Sequence, residues 1–551
     1  MKTLLFNLAY ALQSFAAASP PVRSPEPEGV QAICSLSTFT KADLLPQGAS
    51  IENVSTVPQG GTYGEGAKDL NYPVNPTNLP SLCAVTVKVV SSNESSYRFG
   101  LFLPSASQWT GRFLAIGNGG FGGGINWLDM APGTHLGFAT ISTDTGHNSA
   151  TADVTWALNN IDTKSDWGWR SLHGSVQLGK NLTEAYYGDS IRYSYYSGCS
   201  TGGRQGLKEI QTSPDSFDGA LIGAAAWFTS HLNNYVVQLG MYNLPVTDPK
   251  HIPLGLFSVI GAEVIRQCDG DDGVIDGIVS SPELCNFDYT PIRCKGSASS
   301  TCLTDAQIET AKKIYNDWYS SEDGRWLANG LTYSSEDQWY LYLNGTAPHA
   351  FGVEYVQNFL LNDPNWDWTT FNESLVTYAE QHDPGNPTAD QINISPFKNR
   401  GGKIIMYHGQ SDGIVPTKIS ETYYNRTIEY FGSLESTTDF FRLFLIPGMQ
   451  HCCLTTVGAP WNIGATFQST TMATNLWSVP GFKDKQHDAL LALVDWVENG
   501  NAVDQIVATS WKSLLNPNSG VLAQRPLCPW PKKAKYNGFG SVNAAQSWSC
   551  A

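Results

Sequence analysis

The chain has 551 residues, with 49 acidic and 33 basic side chains, a formal net charge of −16 and an aromatic content of 12% that includes 17 Trp. That length exceeds the roughly 250–300 residues over which one hydrophobic core keeps growing, so at least two structural units are expected. Only 15% of the residues are charged, which excludes a disordered chain, and the acidic balance argues against nucleic acid or an anionic membrane as partner.

Residues 1–18 combine an early Lys2, a short apolar run around Leu4–Leu12 and small residues at Ala16 and Ala18. That is the pattern of a secretory signal peptide, although Asn7 interrupts its apolar core. No later segment holds 18 uninterrupted apolar residues, so no membrane span is expected. Seven N-x-S/T sequons, at Asn53, Asn93, Asn181, Asn344, Asn372, Asn393 and Asn425, fit glycosylation of an extracellular protein. Eleven cysteines in an exported chain imply disulfides and one leftover thiol. Short spacing favours Cys268–Cys285, Cys294–Cys302 and Cys528–Cys550, and Cys34 with Cys83 forms the N-terminal pair. Cys199, Cys452 and Cys453 remain for one bond and one free thiol.

Apolar and alternating residues from Val85 to Leu103 read as a strand pair, and Arg112–Asn118 as a buried strand entering the cluster Gly119-Gly-Phe-Gly-Gly-Gly124. This cluster lacks the Lys-Ser/Thr of a P-loop and the G-x-G-x-x-G spacing, so a nucleotide site is rejected. It suits a turn whose backbone N–H groups approach a ligand oxygen. Gly137–His147 is a further strand and turn, and Trp169–Tyr187 has helical spacing ending at Gly188. The aromatic strand before Gly198 then runs into Gly198-Cys199-Ser200-Thr201-Gly202, which fits G-x-S-x-G, and a helix-compatible run starts after Gly203. Phe217–Ala225 returns as a strand. The alternation predicts an α/β fold with a parallel sheet. Residues 228–395, rich in Trp, Tyr, Asn, Asp and local cysteines, break it and read as an inserted lid between a first core part (19–227) and a second (396–551). Lys403–Gly409 and Phe441–Pro447 resume the strands, a helix surrounds Asp488–Val497, and a Pro/Trp-rich tail ends the chain.

A serine on a tight strand-to-helix turn is a nucleophile elbow, and it needs a base that is oriented in turn by a carboxylate. In α/β-hydrolases the order is Ser, acid, His, each following a strand. Ser200, Asp412 after the 403–409 strand, and His451 after the 441–447 strand satisfy that order. His408 precedes the acid at a strand end and is assigned a structural role, as is His147. A Cys199–Cys452 bond would tie the nucleophile loop to the base loop and limit drift of Ser200 from His451, where an ångström of error can cost about 10²-fold in rate.

Gly117-Asn-Gly-Gly-Phe-Gly-Gly, Ser142-Thr-Asp-Thr-Gly-His147, Gly198-Cys-Ser-Thr-Gly-Gly-Arg204, His408-Gly-Gln-Ser-Asp412 and Pro447-Gly-Met-Gln-His-Cys452 together resemble the tannase and feruloyl esterase family, over most of the chain after residue 18. The resemblance implies an α/β-hydrolase fold with a large lid and the triad Ser200, Asp412 and His451. The oxyanion donors would be Thr201 N–H and one from Gly119 or Gly120. It also pairs Cys199 with Cys452 and leaves Cys453, a departure from the family pattern, as the free thiol. The implied substrate is a phenolic ester, feruloyl or another hydroxycinnamoyl ester of a plant cell-wall sugar, with galloyl esters as the tannase alternative. A catalytically silent glycan-binding protein on the same fold would need a broken triad.

In the insertion, Cys268-Asp269-Gly-Asp-Asp272-Gly-Val274-Ile-Asp276-Gly-Ile278 spaces carboxylates between glycines, a pattern that serves either a Ca²⁺ loop or a solvated acidic turn, without the Glu at position twelve of an EF-hand. The resemblance assigns a structural calcium to the side chains of Asp269, Asp272 and Asp276 and the carbonyls of Val274 and Ile278. No cysteine or histidine cluster has zinc spacing, so no catalytic metal is expected.

Overall fold

The computed structural model describes residues 33–551 apart from 42, 298 and 472–481, so the segment read as a signal peptide lies outside the described residues. Nine strands form one sheet: β1 (Ala49–Val57), β2 (Leu82–Val90), β3 (Ser96–Pro104), β4 (Arg112–Ile116), β5 (Phe138–Thr143), β6 (Tyr193–Cys199), β7 (Gly219–Gly223), β8 (Lys403–Gly409) and β9 (Phe441–Ile446). Their spatial order is β1-β2-β3-β5-β4-β6-β7-β8-β9. The β1–β2, β2–β3 and β3–β5 pairs are antiparallel, and every pair from β5 to β9 is parallel.

The parallel strands are apolar on both sides because helices cover both faces. Tyr195 and Tyr196, neighbours on β6, are fully buried in different clusters. One cluster gathers Leu172 and Val176 of α2 (Ser171–Tyr187), Leu207 and Ile210 of α3 (Thr201–Thr212) and Tyr423 of α5 (Lys418–Phe431). The other gathers Met130 of α1 (Trp127–His135) and Leu490 and Leu493 of α6 (Ala489–Asn499). This is the α/β-hydrolase arrangement that the sequence led us to expect.

Between β7 and β8 the chain leaves the sheet through α4 (Thr229–Asn243) and builds a third cluster around Tyr235, Val264, Ile308, Trp339 and Phe359. Phe121 and Trp167 of the first core part are buried in that same cluster, so the insertion is packed directly onto the glycine loop.

Three details depart from the sequence reading. Strand β1 was not anticipated, since its inward and outward residues mix with no clean alternation. The supposed C-terminal tail contains an antiparallel hairpin, β10 (Ile506–Ser513) with β11 (Asn516–Leu527). Helix α3 begins at Thr201 and includes Gly202 and Gly203, ahead of the start after Gly203 expected from the sequence. A Cβ on Gly203 would stand 2.4 Å from the Gly223 carbonyl oxygen. Close packing against β7 therefore selects glycine at a position where helix propensity disfavours it.

Candidate active site

Ser200 stands between β6 and α3 with φ 63° and ψ −125°, a positive φ that a β-substituted residue rarely adopts. The turn is held on three sides. Ser200 N–H donates to the Gly223 carbonyl at 3.0 Å, and the Ser200 carbonyl accepts from Arg204 N–H and Ala226 N–H at 3.1 Å each. Thr201 opens α3, so its N–H belongs to the first turn, where amides have no intrahelical acceptor and the helix dipole favours negative charge.

Asp412 is fully buried and saturated with donors. Its Oδ1 accepts the N–H groups of Ile414 and Val415 at 2.8 Å each. Its Oδ2 faces His451 Nδ1 at 2.7 Å and His408 Nε2 at 3.0 Å. Burial alone would raise this carboxyl, but His451 and the two histidine hydrogen bonds outweigh it and hold Asp412 well below the usual carboxylate range. His408 is itself buried between Asp412, the Val415 carbonyl at 3.0 Å and Ser420 Oγ at 2.8 Å. His147 is a loop histidine: it faces the Phe121 carbonyl at 2.9 Å, stacks on Trp156, and burial lowers it to about 4.

Cys199 and Cys452 are joined by a disulfide with their Cα atoms 6.0 Å apart, which binds the residue before Ser200 to the residue after His451. Cys453 is the free cysteine among the described residues, with Thr471 Oγ1 at 3.7 Å from its sulfur. The other bridges are Cys34–Cys83, Cys268–Cys285, Cys294–Cys302 and Cys528–Cys550.

The two glycine-loop candidates part ways. Gly119 N–H is donated to the Tyr72 hydroxyl at 2.9 Å, whereas Gly120 lines the same cavity as Ser200 and Thr201. The insertion closes that cavity with Leu232, Val236, Tyr342 and Phe351. Arg204 contributes a buried guanidinium, stacked 4.2 Å over Trp167 and donating to the Gly168 and Trp167 carbonyls. Tyr72 and Arg204 were not singled out from the sequence. Tyr72 lies far from the motifs, and the Arg of Gly-Gly-Arg204 carries no signal of its own.

In the acidic loop, Asp269 accepts the N–H groups of Asp276, Gly277 and Ile278 at 3.1, 2.9 and 3.2 Å. Asp272 Oδ1 accepts Val274 N–H at 2.9 Å while its Oδ2 is buried without a partner. Asp276 bonds the Ile278 N–H at 3.2 Å and pairs with Arg525 of β11. No three acidic, His or Cys side chains converge as a metal cluster among the described residues. The donors are nonetheless all hard oxygens, and the orphaned Asp272 Oδ2 is one that a Ca²⁺ ion would take up.

A serine on a tight strand-to-helix turn of an α/β-hydrolase sheet, tethered by a disulfide to a His–Asp pair, is the arrangement of a hydrolase. The comparisons narrow the class. The family model described as "Tannase and feruloyl esterase" matches residues 83–551. Feruloyl esterase B of Aspergillus niger is 34% identical over 472 residues, 85% of this chain and 86% of that protein. The crystal structure of feruloyl esterase B from Aspergillus oryzae superposes with a TM-score of 0.84 at 31% identity, covering 94% of this chain and 100% of that one. Tannin acyl hydrolase from Aspergillus niger shares the fold, with a TM-score of 0.73 at 22% identity over 94% of this chain and 95% of its own. The chain belongs to the tannase and feruloyl esterase family, and it is a carboxylic ester hydrolase.

Proposed function

We propose that this protein is a secreted serine esterase that releases hydroxycinnamic acids, such as ferulic acid, from plant cell-wall esters through Ser200, His451 and Asp412. The observation that carries the reading is the 2.7 Å contact of His451 Nδ1 with Asp412 Oδ2 on a loop disulfide-bonded to the nucleophile turn. With the Nδ1 proton committed to Asp412, the neutral ring presents Nε2 as the acceptor for the Ser200 hydroxyl proton. Ser200 Oγ attacks the ester carbonyl, and the amides of Thr201 and Gly120 receive the oxyanion. His451 returns the proton to the leaving alcohol, then activates the water that releases the acid.

A hydroxycinnamoyl ring is preferred to a galloyl ring on the character of the cavity lining. Apolar and aromatic side chains make up the larger part of that lining, beside the polar groups of Thr229, Asn233, Arg204 and Tyr342, whereas three ring hydroxyls would each need a partner. Export is supported by the exposure of all seven sequon asparagines and by five disulfides among the described residues. Among those residues no helix is long and apolar enough to cross a membrane. A structural calcium held by Asp269, Asp272, Asp276 and the carbonyls of Val274 and Ile278 would tie down the acidic loop. Rates across methyl ferulate, caffeate, sinapate, p-coumarate and gallate, with Ser200→Ala as control, test the reading. Ferulate or p-coumarate should lead, and Ser200→Ala should fall by several orders of magnitude with its fold intact. Ordinary turnover by Ser200→Ala would remove the triad, and a preference for gallate would make the protein a tannase.

A further inference from the structure

The acid and base loops both rest on the insertion, through one side chain. Gln338 Oε1 accepts the N–H of Gly413 at 3.0 Å and the N–H of His451 at 3.2 Å. Both partners are backbone donors, so the atom between them is the amide oxygen and not the nitrogen. Gly413 directly follows Asp412, and the second donor is the backbone of His451 itself. One acceptor therefore spans the two loops whose side chains meet 2.7 Å apart.

The surrounding contacts make this a docked surface. Thr332 Oγ1 donates to the Gln410 carbonyl at 2.7 Å, and Ser334 Oγ meets Ser411 Oγ at 2.8 Å. On the base side, Thr456 Oγ1 donates to Asp337. The approach is so close that a Cβ on Gly413 would lie 2.7 Å from Gln338 Cβ and 2.9 Å from the Ser335 carbonyl oxygen. Glycine at 413 is thus a condition for Gln338 to reach both loops.

We propose that Gln338 is a positioning residue for the hydrolysis, through which the insertion sets the His451–Asp412 geometry in addition to walling the cavity. It touches no reacting atom. Without its oxygen, two backbone N–H groups lose their acceptor and the two loops lose their common brace, while the cavity walls formed by Leu232, Val236 and Phe351 stay as they are. Misplacement of a base by an ångström is worth about 10²-fold, and the loss belongs to kcat because ground-state binding is untouched.

The inference rests on the triad reading, and its test separates the two. Gln338→Leu, Gln338→Asn and Gln338→Glu are assayed on methyl ferulate for kcat and KM, with thermal melting to report folding. Gln338→Leu should lose 10- to 100-fold in kcat with KM within about twofold. Gln338→Asn, which withdraws the amide by one methylene, should lose less, and it carries the test if the Leu variant does not fold. Gln338→Glu keeps an acceptor at the same reach and should recover most of the loss. Wild-type kcat in folded Leu and Asn variants overturns the proposal, as does a deficit confined to KM or one that Glu does not recover. If Ser200→Ala turned over normally the triad reading would fail. If Ser200→Ala is inert and the Gln338 variants behave as wild type, the positioning role alone fails.

Discussion

Asp412→Asn isolates what the buried carboxylate does, because the side chain keeps its shape and loses its charge. Four donors converge on Asp412: two backbone N–H groups on Oδ1 and two histidine nitrogens on Oδ2. An asparagine has one oxygen for them and turns an N–H₂ toward one pair. Oriented to satisfy Ile414 and Val415, it points its amide protons at both histidines, and His451 then answers with an unprotonated Nδ1 and a proton on Nε2. That tautomer cannot accept from Ser200. Hydrogen bonds to a charged group contribute about 1.5–3 kcal/mol each. Losing the one from His451 therefore costs about 1.5–3 kcal/mol, or roughly 10- to 10²-fold in kcat at about 1.4 kcal/mol per decade, and the wrong tautomer adds to it. The assay is kcat and kcat/KM on methyl ferulate, with melting to show that the fold persists. A folded Asp412→Asn enzyme within a few-fold of wild type would refute the assignment of Asp412 as the orienting acid.

Further expectations follow from burial and from the acidic loop. Burial raises Asp144 and Glu336 to about 7 each. The folded chain therefore holds protons that the unfolded chain releases near the ordinary carboxylate values, and stability falls as pH rises from about 4.5 to 7. For Glu336 this is on the order of 3 kcal/mol, so melting should be higher at pH 5 than at pH 8 and Glu336→Gln should flatten the slope. Asp412 acts in the opposite sense, since its depressed carboxyl contributes stability that is lost only on strong acidification. A melting temperature that climbs from pH 5 to 8 would contradict the burial of these groups. Chelation by EDTA should lower melting by a few degrees while leaving the initial rate at low temperature nearly unchanged, and unchanged melting would remove the calcium assignment.

The sheet was legible where strands are buried on both faces, because β4, β8 and β9 are largely apolar runs bounded by glycine or proline and β6 is an aromatic run ending in the Gly-x-Ser-x-Gly turn. Strand β1 and the β10–β11 hairpin carry Asn, Ser and Gln among their apolar residues, and their pairing is decided by neighbours distant in sequence. At the candidate site, the residues that could be named beforehand are those whose chemistry needs a local pattern: Ser200 in its elbow, and Asp412 and His451 each after a strand. Tyr72, Arg204 and Gln338 are ordinary polar residues until the fold brings them to the glycine loop, the elbow turn and the two loops beyond β8 and β9. Their roles are tertiary facts, and no spacing along the chain encodes them.

The five bridges also impose an order on biosynthesis. Four of them span 49, 17, 8 and 22 residues, whereas the one beside Ser200 spans 253. Closure entropy rises with loop length, and a cysteine can pair only after its partner has been made. Cys199 can therefore reach its native partner only after the whole insertion has been made, and when that partner emerges it meets two adjacent cysteines, Cys452 and Cys453. Oxidation to the wrong one would shift the histidine loop by a residue, a mispairing that thiol–disulfide exchange can reverse.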